Sequence, residues 1–244
     1  MSQKTKILLL VEGEKTEKEL FSHLYEIYGI NDVEIISYKT HIYAFYHRLF
    51  NDYSVDGVID FDFIDIPLFL NDYFSLEGEE ILNESDFRDI ILIFDFDPHD
   101  PSYDADKLEI LVENFNESTD KGKLYINYPM IESYKDITSL EDGSFNNSEV
   151  TLEDLKKRSR GTSYYKRLVD SRTCITDIQL LDGEKIKDII LVHQKKLEYI
   201  LGDKYEEFEK YKSLCNLQCE KVSNDNSLWI LNTSILHMLE QYGV

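Results

Sequence analysis

The chain has 244 residues and carries 48 acidic against 26 basic residues, which gives a formal charge of −22. Its hydrophobic fraction of 42% and aromatic fraction of 13% are typical of a folded globular protein and exclude an intrinsically disordered one. The charge argues against a protein that coats nucleic acid over its whole surface, since phosphate binding depends on Lys and Arg.

No apolar stretch reaches the length that a membrane-spanning helix needs, and the first residues lack the apolar core of a signal peptide. The three cysteines include no CxxC pair, so the sequence gives no sign of a disulfide framework. We therefore expect a cytoplasmic protein without a membrane segment.

The first part of the chain alternates predicted strands and helices. The predicted elements are a strand over 6–11, a helix over 15–28, a strand over 33–37, a helix over 41–51, a strand from residue 89, a helix over 103–115 and a strand over 122–128. The acidic, aromatic stretch 52–86 is predicted to be an insertion, either a small helical hairpin or an edge element. This alternation indicates an α/β fold with a mostly parallel sheet flanked by helices.

Beyond residue 138 the strand signals fade. Helices are predicted over 151–169, 184–201 and 204–221, and an apolar segment over 228–242 follows them. We therefore divide the chain into an α/β core over 1–138, which includes the insertion, and a C-terminal helical region over 139–244.

Two acidic motifs stand where apolar runs end. The run Ile7-Leu8-Leu9-Leu10-Val11 is followed by Glu12 and Gly13, and the run Ile90-Ile91-Leu92-Ile93-Phe94 is followed by Asp95 and Asp97. Such runs predict strands that are buried on both faces of a parallel sheet, and open α/β sheets bind ligands at the carboxyl ends of their strands. Carboxylates gathered there are suited to Mg²⁺ or Mn²⁺.

A second Asp-x-Asp, formed by Asp60 and Asp62, lies inside the insertion. It lacks a long apolar run before it, so we interpret it as a solvated strand face.

The segment Val11-Glu12-Gly13 after an apolar strand, together with Phe94-Asp95-Phe96-Asp97 at the end of a later one, resembles a Toprim domain over residues 4–138. Toprim domains occur in topoisomerases, bacterial primases, OLD-family nucleases and phage-defence effectors. The local sequence Glu12-Gly13-Glu14-Lys15-Thr16-Glu17 is most similar to the small defence members, the RloB/AbiL-like proteins and the AriB-type nuclease of the PARIS system.

The resemblance implies roles for individual residues. Glu12 would bind metal or act as a general base, while Asp95 and Asp97 would bind metal. Glu17 would support a second cation; alternatively it is an acidic residue in a first helical turn, favoured by the helix dipole. Glu132 follows a segment that resembles a strand end of these proteins and is an additional candidate.

Positive charge is concentrated in one segment of this acidic chain. Seven of the 26 basic residues fall between Asp154 and Arg172. A polyanion could be held there, or the segment could be an ordinary solvated helical face. Within it, Tyr164-Tyr165 is the best candidate for stacking on bases. The candidate nucleic-acid-binding residues are Lys156, Lys157, Arg158, Arg160, Lys166 and Arg167.

These features predict a nuclease that cleaves DNA or RNA, including tRNA, with Mg²⁺ or Mn²⁺. The resemblance implies an anti-phage effector that works with an ABC/SMC-like or AAA ATPase and forms a homodimer. No P-loop sequence is present for ATP hydrolysis by this chain itself. Two alternatives stay open: a primase-like or RNA-processing Toprim protein, and a non-catalytic acidic subunit that binds a partner through the insertion.

Overall fold

The computed structural model describes residues 5–141, 143–159, 162–175, 177–202 and 209–243. In the first part of the chain, strands and helices alternate as the sequence predicts. The elements are β1 (Lys6–Val11), α1 (Thr16–Ile27), β2 (Val33–Ser37), α2 (Ile42–Tyr53), β3 (Ser54–Val55), β4 (Val58–Ile59), α3 (Ile66–Phe74), β5 (Phe87–Asp95), α4 (Ala105–Asn114), β6 (Asn116–Glu117) and β7 (Gly122–Asn127).

The main sheet has five strands in the order β2-β1-β5-β7-β6. The first four are parallel, and the short edge strand β6 runs antiparallel to β7. β1 and β5 lie in the interior of the sheet because their apolar residues are buried on both faces. The predicted α/β fold with a mostly parallel sheet flanked by helices is confirmed.

The stretch 52–86 stands outside the main sheet. It contains the two-stranded β3–β4 hairpin and helix α3, separated by a 3₁₀ turn over Phe61–Phe63. The prediction of a solvated strand at Asp60 and Asp62 is wrong. Asp60 instead caps that turn, accepting a hydrogen bond from the N–H of Asp62 at 3.2 Å, and Asp62 contacts Lys121.

The C-terminal part is helical with short strands between the helices. Its elements are β8 (Glu149–Thr151), α5 (Leu152–Lys156), β9 (Arg158–Ser159), β10 (Thr162–Ser163), α6 (Tyr164–Arg172), α7 (Gly183–Leu201), α8 (Lys210–Asp225), β11 (Ser227–Trp229) and α9 (Leu236–Tyr242). The helical C-terminal part is therefore confirmed. Its described residues also include four short strands that the sequence analysis did not predict.

Two of the predicted helical boundaries need correction. A single helix over 151–169 is wrong: α5 ends at Lys156, and the antiparallel pair of strands β9 and β10 separates it from α6. The polar sequence there, which contains a glycine, has a low propensity for a continuous helix. The predicted helix over 204–221 begins in residues 204–208, which lie outside the described residues, and its described part continues to Asp225.

The C-terminal part packs directly against the sheet. Leu231 exchanges two backbone hydrogen bonds with Tyr128 at 2.8 Å, just beyond the end of β7. His237 of α9 pairs with the hydroxyl of Tyr25 in α1 at 2.8 Å. One continuous hydrophobic core includes residues from both parts. The division near residue 138 stays a prediction. Among the helices that the structure describes, none combines the length and apolar character needed to cross a bilayer.

Candidate active site

The two acidic strand ends meet at the carboxyl edge of the sheet. Because β1 and β5 are parallel neighbours, Glu12 and Asp95 emerge side by side, and the N–H of Asp95 donates to Glu12 Oε2 at 3.1 Å. Glu12 also lines a cleft of about 330 Å³ with Gly13, Glu14, Lys39 and Thr40. The candidate site is therefore open to a ligand on the Glu12 side.

Glu17 reaches back from the first turn of α1 into the same site. Its Oε1 accepts a hydrogen bond from the N–H of Gly13 at 3.0 Å, and its side chain is buried. A Cβ at position 13 would collide with the Glu17 carboxylate, so the contact depends on glycine. Glu17 is thus oriented toward Glu12 rather than toward solvent. An acidic residue that only interacted with the helix dipole could equally well point into solvent.

Asp97 lies two residues beyond Asp95, and Phe96 between them is buried against Tyr103 and Tyr128. The Nε2 atom of His99 is 3.1 Å from Asp97 Oδ1. That oxygen is buried and makes no well-aligned hydrogen bond to any residue of the described ranges. A cation or a donor group that bound this oxygen would take the place of the His99 contact.

Glu132 and Lys166 complete the acidic group. Glu132 lies in a 3₁₀ turn over Ile131–Lys135, and its Oε1 is 2.6 Å from the Nζ of Lys166 in α6. The second oxygen of Glu132 is buried without a hydrogen-bond partner in the described part of the chain. Burial disfavours the charge of Lys166, but Glu132 outweighs that effect and raises the pKa of the lysine. Lys166 is therefore a positive charge directed at the site.

The electrostatics of the site favour a bound cation. Burial, together with the charges of Glu17 and Asp97, raises the pKa of Glu12 to about 8, although the N–H of Asp95 acts in the opposite sense. Burial, followed by the charges of Glu12, Glu17 and Glu132, raises the pKa of Asp95 well above its usual range. Burial also raises the pKa of Glu17. Added positive charge would relieve both the desolvation and the mutual repulsion.

The donor set is chemically suited to Mg²⁺ or Mn²⁺, because it consists of carboxylate oxygens, two of them buried without hydrogen bonds within the described residues. As the side chains stand, no group of three or more His, Cys, Asp and Glu in the described ranges is arranged to hold a metal ion. The residues that the Toprim resemblance assigns to a cation are Glu12, Asp95 and Asp97, with Glu17 and Glu132 beside them, and their side chains would have to rotate to coordinate it.

Three polar residues that sequence reasoning missed hold the strand ends in place. The Asn127 side chain donates to Asp95 Oδ1 at 3.4 Å and accepts from the N–H of Ser234 at 3.2 Å. The hydroxyl of Thr233 donates to the carbonyl of Ile126 at 2.7 Å. All of these side chains are buried. The polar run Asn232-Thr233-Ser234 within an apolar segment was the signal that could have revealed them.

The basic segment divides into residues that face the site and residues that face solvent. Lys166 alone of the described candidates contacts a site carboxylate, while Lys156, Lys157, Arg158 and Arg167 are exposed. Arg160 lies outside the described residues. A nucleic-acid contact through the exposed group stays a prediction.

Tyr165 cannot stack on a base as the sequence suggested, because its ring is fully buried and its hydroxyl donates to Asp136 at 2.8 Å. Arg172 also turns inward and makes two 2.6 Å hydrogen bonds to Asp136. Part of the basic segment is thus structural. Its inward-facing residues anchor α6, which carries Lys166.

Comparisons with protein-family models, with curated proteins and with solved structures find no match for this chain.

Proposed function

We propose that this protein is a Toprim-type nuclease that cleaves phosphodiester bonds in nucleic acid with Mg²⁺ or Mn²⁺. The observation that carries the proposal is the meeting of Glu12 and Asp95 at adjacent parallel strand ends, with raised pKa values and with Glu17, Glu132 and Lys166 around them. Buried ionisable groups whose pKa values shift together in a cleft are typical of catalytic sites. The order of the two acidic motifs along the chain supports a Toprim origin.

Each residue has a chemical role in this proposal. The bound cation would polarise the phosphodiester and stabilise charge that develops on its oxygens. Glu12 is suited to accept the proton of the attacking water, because it lines the open cleft beside Asp95. Asp95 and Asp97 would supply oxygen ligands to the cation. Lys166 places an ammonium group beside this cluster, where it would attract the phosphate backbone.

The biological setting belongs to the proposal as well. The similarity of the segment around Glu12 to small phage-defence proteins supports a cytoplasmic effector that works as a homodimer with an ABC/SMC-like or AAA ATPase. The strong negative charge of the chain is consistent with a partner that supplies further binding surface for a polyanion.

Cleavage assays with purified protein test the proposal. Labelled DNA and RNA, including tRNA, are incubated with Mg²⁺ or Mn²⁺, alone and with any ATPase that proves to be encoded beside this gene. We expect Glu12→Gln and Asp95→Asn each to reduce cleavage at least about 100-fold, because each removes a group that acts on the reacting phosphate. Asp62→Asn, which changes the other Asp-x-Asp, should leave the rate unchanged.

Circular dichroism should show that all three variants are folded. An unaffected rate in Glu12→Gln and Asp95→Asn would exclude this site as the catalytic centre. No cleavage of any substrate, with the partner present, would favour the non-catalytic acidic subunit.

A further inference from the structure

A second cleft opens at the same edge of the sheet, beside the one that contains Glu12. It has a volume of about 410 Å³ and lies between the turn after β2 and helix α2. Thr40 lines both clefts, so the two adjoin. The residues that give the second cleft its chemistry are Tyr38, His41, His47, Arg48, Asn51 and Tyr73.

The inner wall of this cleft is aromatic and contains a polar atom without a partner. The rings of Tyr38 and Tyr73 lie with their centroids 4.5 Å apart, and Tyr38 is only 1% exposed. The Tyr38 hydroxyl is buried and forms no hydrogen bond within the described ranges. Such a group is costly to leave unpaired, and a polar ligand in the cleft is the kind of partner that would satisfy it.

The opposite wall is a polar stripe along α2. His41, Ala44, Arg48 and Asn51 recur at helical spacing on one face, and all four line the cleft. Arg48 is held by Asp52 at 2.6 Å yet is about half exposed, and the Asn51 amide is exposed. An amide that both donates and accepts, beside an aromatic surface, is suited to the edge and face of a nucleobase.

The turn between the clefts fixes their relative position. Lys39 adopts a left-handed conformation with φ of 64°, and its N–H donates to the carbonyl of Glu12 at 2.9 Å. Its ammonium group, paired with Glu14 at 2.6 Å, stands on the Glu12 side. A nucleotide chain that passes Glu12 would therefore pass the Lys39 ammonium group and then reach the aromatic cleft.

We propose that this cleft binds the base of an unpaired nucleotide next to the phosphodiester held at Glu12 and Asp95. This inference rests on the proposed function and narrows its substrate to single-stranded nucleic acid. A base that is paired and stacked in a duplex presents neither its face nor its pairing edge to such a cleft, whereas a base in a single strand presents both.

The test measures binding rather than cleavage, so that it does not depend on catalysis. Fluorescence anisotropy is recorded with labelled eight-nucleotide single strands of DNA and RNA and with the matched duplexes, using the Glu12→Gln protein. We expect a single strand of at least one sugar type to bind at least about 10-fold more tightly than its duplex. Tyr73→Ala should weaken single-strand binding about 10-fold, in line with the loss of one stacking partner.

Tyr46→Ala is the matched control, because Tyr46 lies on the same helix but does not line the cleft. It should bind like the parent protein. Asn51→Ala, at an exposed position, provides a second variant that is independent of core packing and should weaken binding at least about 3-fold. Tyr38→Phe should raise the melting temperature of the free protein while it weakens single-strand binding, a combination that a purely structural role would not produce.

Two results would overturn the inference: equal affinity for single strands and duplexes, or Tyr73→Ala and Asn51→Ala proteins that bind as tightly as Tyr46→Ala. Cleavage that depends on Glu12 but not on Tyr73 or Asn51 would leave the nuclease proposal standing without the base cleft. Single-strand binding that depends on Tyr73, in a protein that cleaves no substrate, would support the base cleft and contradict the nuclease proposal.

Discussion

Buried carboxylates occur in two regions of this protein with opposite electrostatic settings. Glu240 of α9 accepts hydrogen bonds from Lys123 at 2.9 Å, Tyr125 at 2.8 Å and Tyr211 at 2.5 Å, and it pairs with Lys210 at 2.7 Å. Burial alone would raise the pKa of this group, but the two lysines outweigh that effect and lower it to about 2. Glu240 is a charge whose partners are all provided by the fold.

The strand-end carboxylates are buried to a similar degree but lack such partners. The pKa of Glu12 is raised to about 8, and that of Asp95 is raised well above its usual range. The nearby positive charge of Lys166 is bound to Glu132. The comparison shows that burial does not decide the state of a carboxylate by itself. The fold supplies cations for Glu240 but no matching cations for Glu12 and Asp95, whose charge is offset by protons in the free protein and would be offset by the proposed metal ion.

The largest effect is expected at Glu240. Glu240→Gln should lower the free energy of unfolding by about 3 kcal/mol, because the largely buried Lys123 ammonium loses its counter-charge. Urea denaturation at pH 7 measures the change. The control is Glu153→Gln, which removes an exposed ion pair with Lys157 and should cost less than about 1 kcal/mol. Equal losses of unfolding free energy in the two variants would show that Glu240 is no more important to stability than an exposed ion pair.

The opposite sign is expected at Asp95. Asp95→Asn should raise the free energy of unfolding by about 1–2 kcal/mol in EDTA, because the amide removes the cost of burying a charge and, with it, the repulsion from Glu12, Glu17 and Glu132. The same strand offers a matched control at its other end. Asp89 is satisfied by Arg88 at 2.7 Å and Ser118 at 3.0 Å, so Asp89→Asn should be destabilising.

Destabilisation by both substitutions in β5 would assign Asp95 a structural role like that of Asp89. A gain in stability at Asp95 together with lost cleavage is the behaviour expected of a functional site, where charge is kept at a cost to the fold.

The parallel sheet and the meeting of its acidic ends could be predicted from the sequence. The apolar runs before Glu12 and Asp95 are long enough to demand burial on both faces, and parallel neighbours bring their carboxyl ends to one edge. The burial of these two strands follows from their own apolar sequences, so it can be predicted without knowing which distant residues pack against them.

The pairing of Glu132 with Lys166 could not be predicted in the same way. It depends on the β9–β10 hairpin, which turns α6 so that Lys166 faces the sheet, and on the Asp136–Arg172 contact that anchors the helix. The sequence over 151–169 does not show how α6 is oriented after α5 ends, so it does not indicate that Lys166 meets Glu132. Contacts between segments more than thirty residues apart are set by tertiary packing, which overrides local propensity.

The smallest expected effect is the change with pH in how much Mg²⁺ stabilises the folded protein. This effect tests whether the proposed cation binds at Glu12. The pKa of Glu12 rises from 4.5 in the unfolded chain to about 8 in the folded one. Between these values the folded state binds more protons, so in EDTA this group reduces stability as pH rises from 4.5 to 8, and the full penalty is present above 8.

A cation must displace the proton on Glu12, and it relieves the greater part of the repulsion at high pH, where the group is ionised. We expect Mg²⁺ at about ten times its dissociation constant to add about 1.4 kcal/mol of stability at pH 8.5, or roughly 3–6 °C in melting temperature, and less at pH 6. Differential scanning calorimetry measures both shifts. Glu12→Gln should reduce the difference between the two pH values, since Asp95 and Glu17 also have raised pKa values, and Asp62→Asn should preserve it. A Mg²⁺ shift that is equal at both pH values would mean that the cation binds elsewhere, since a site that includes these carboxylates couples metal binding to their titration.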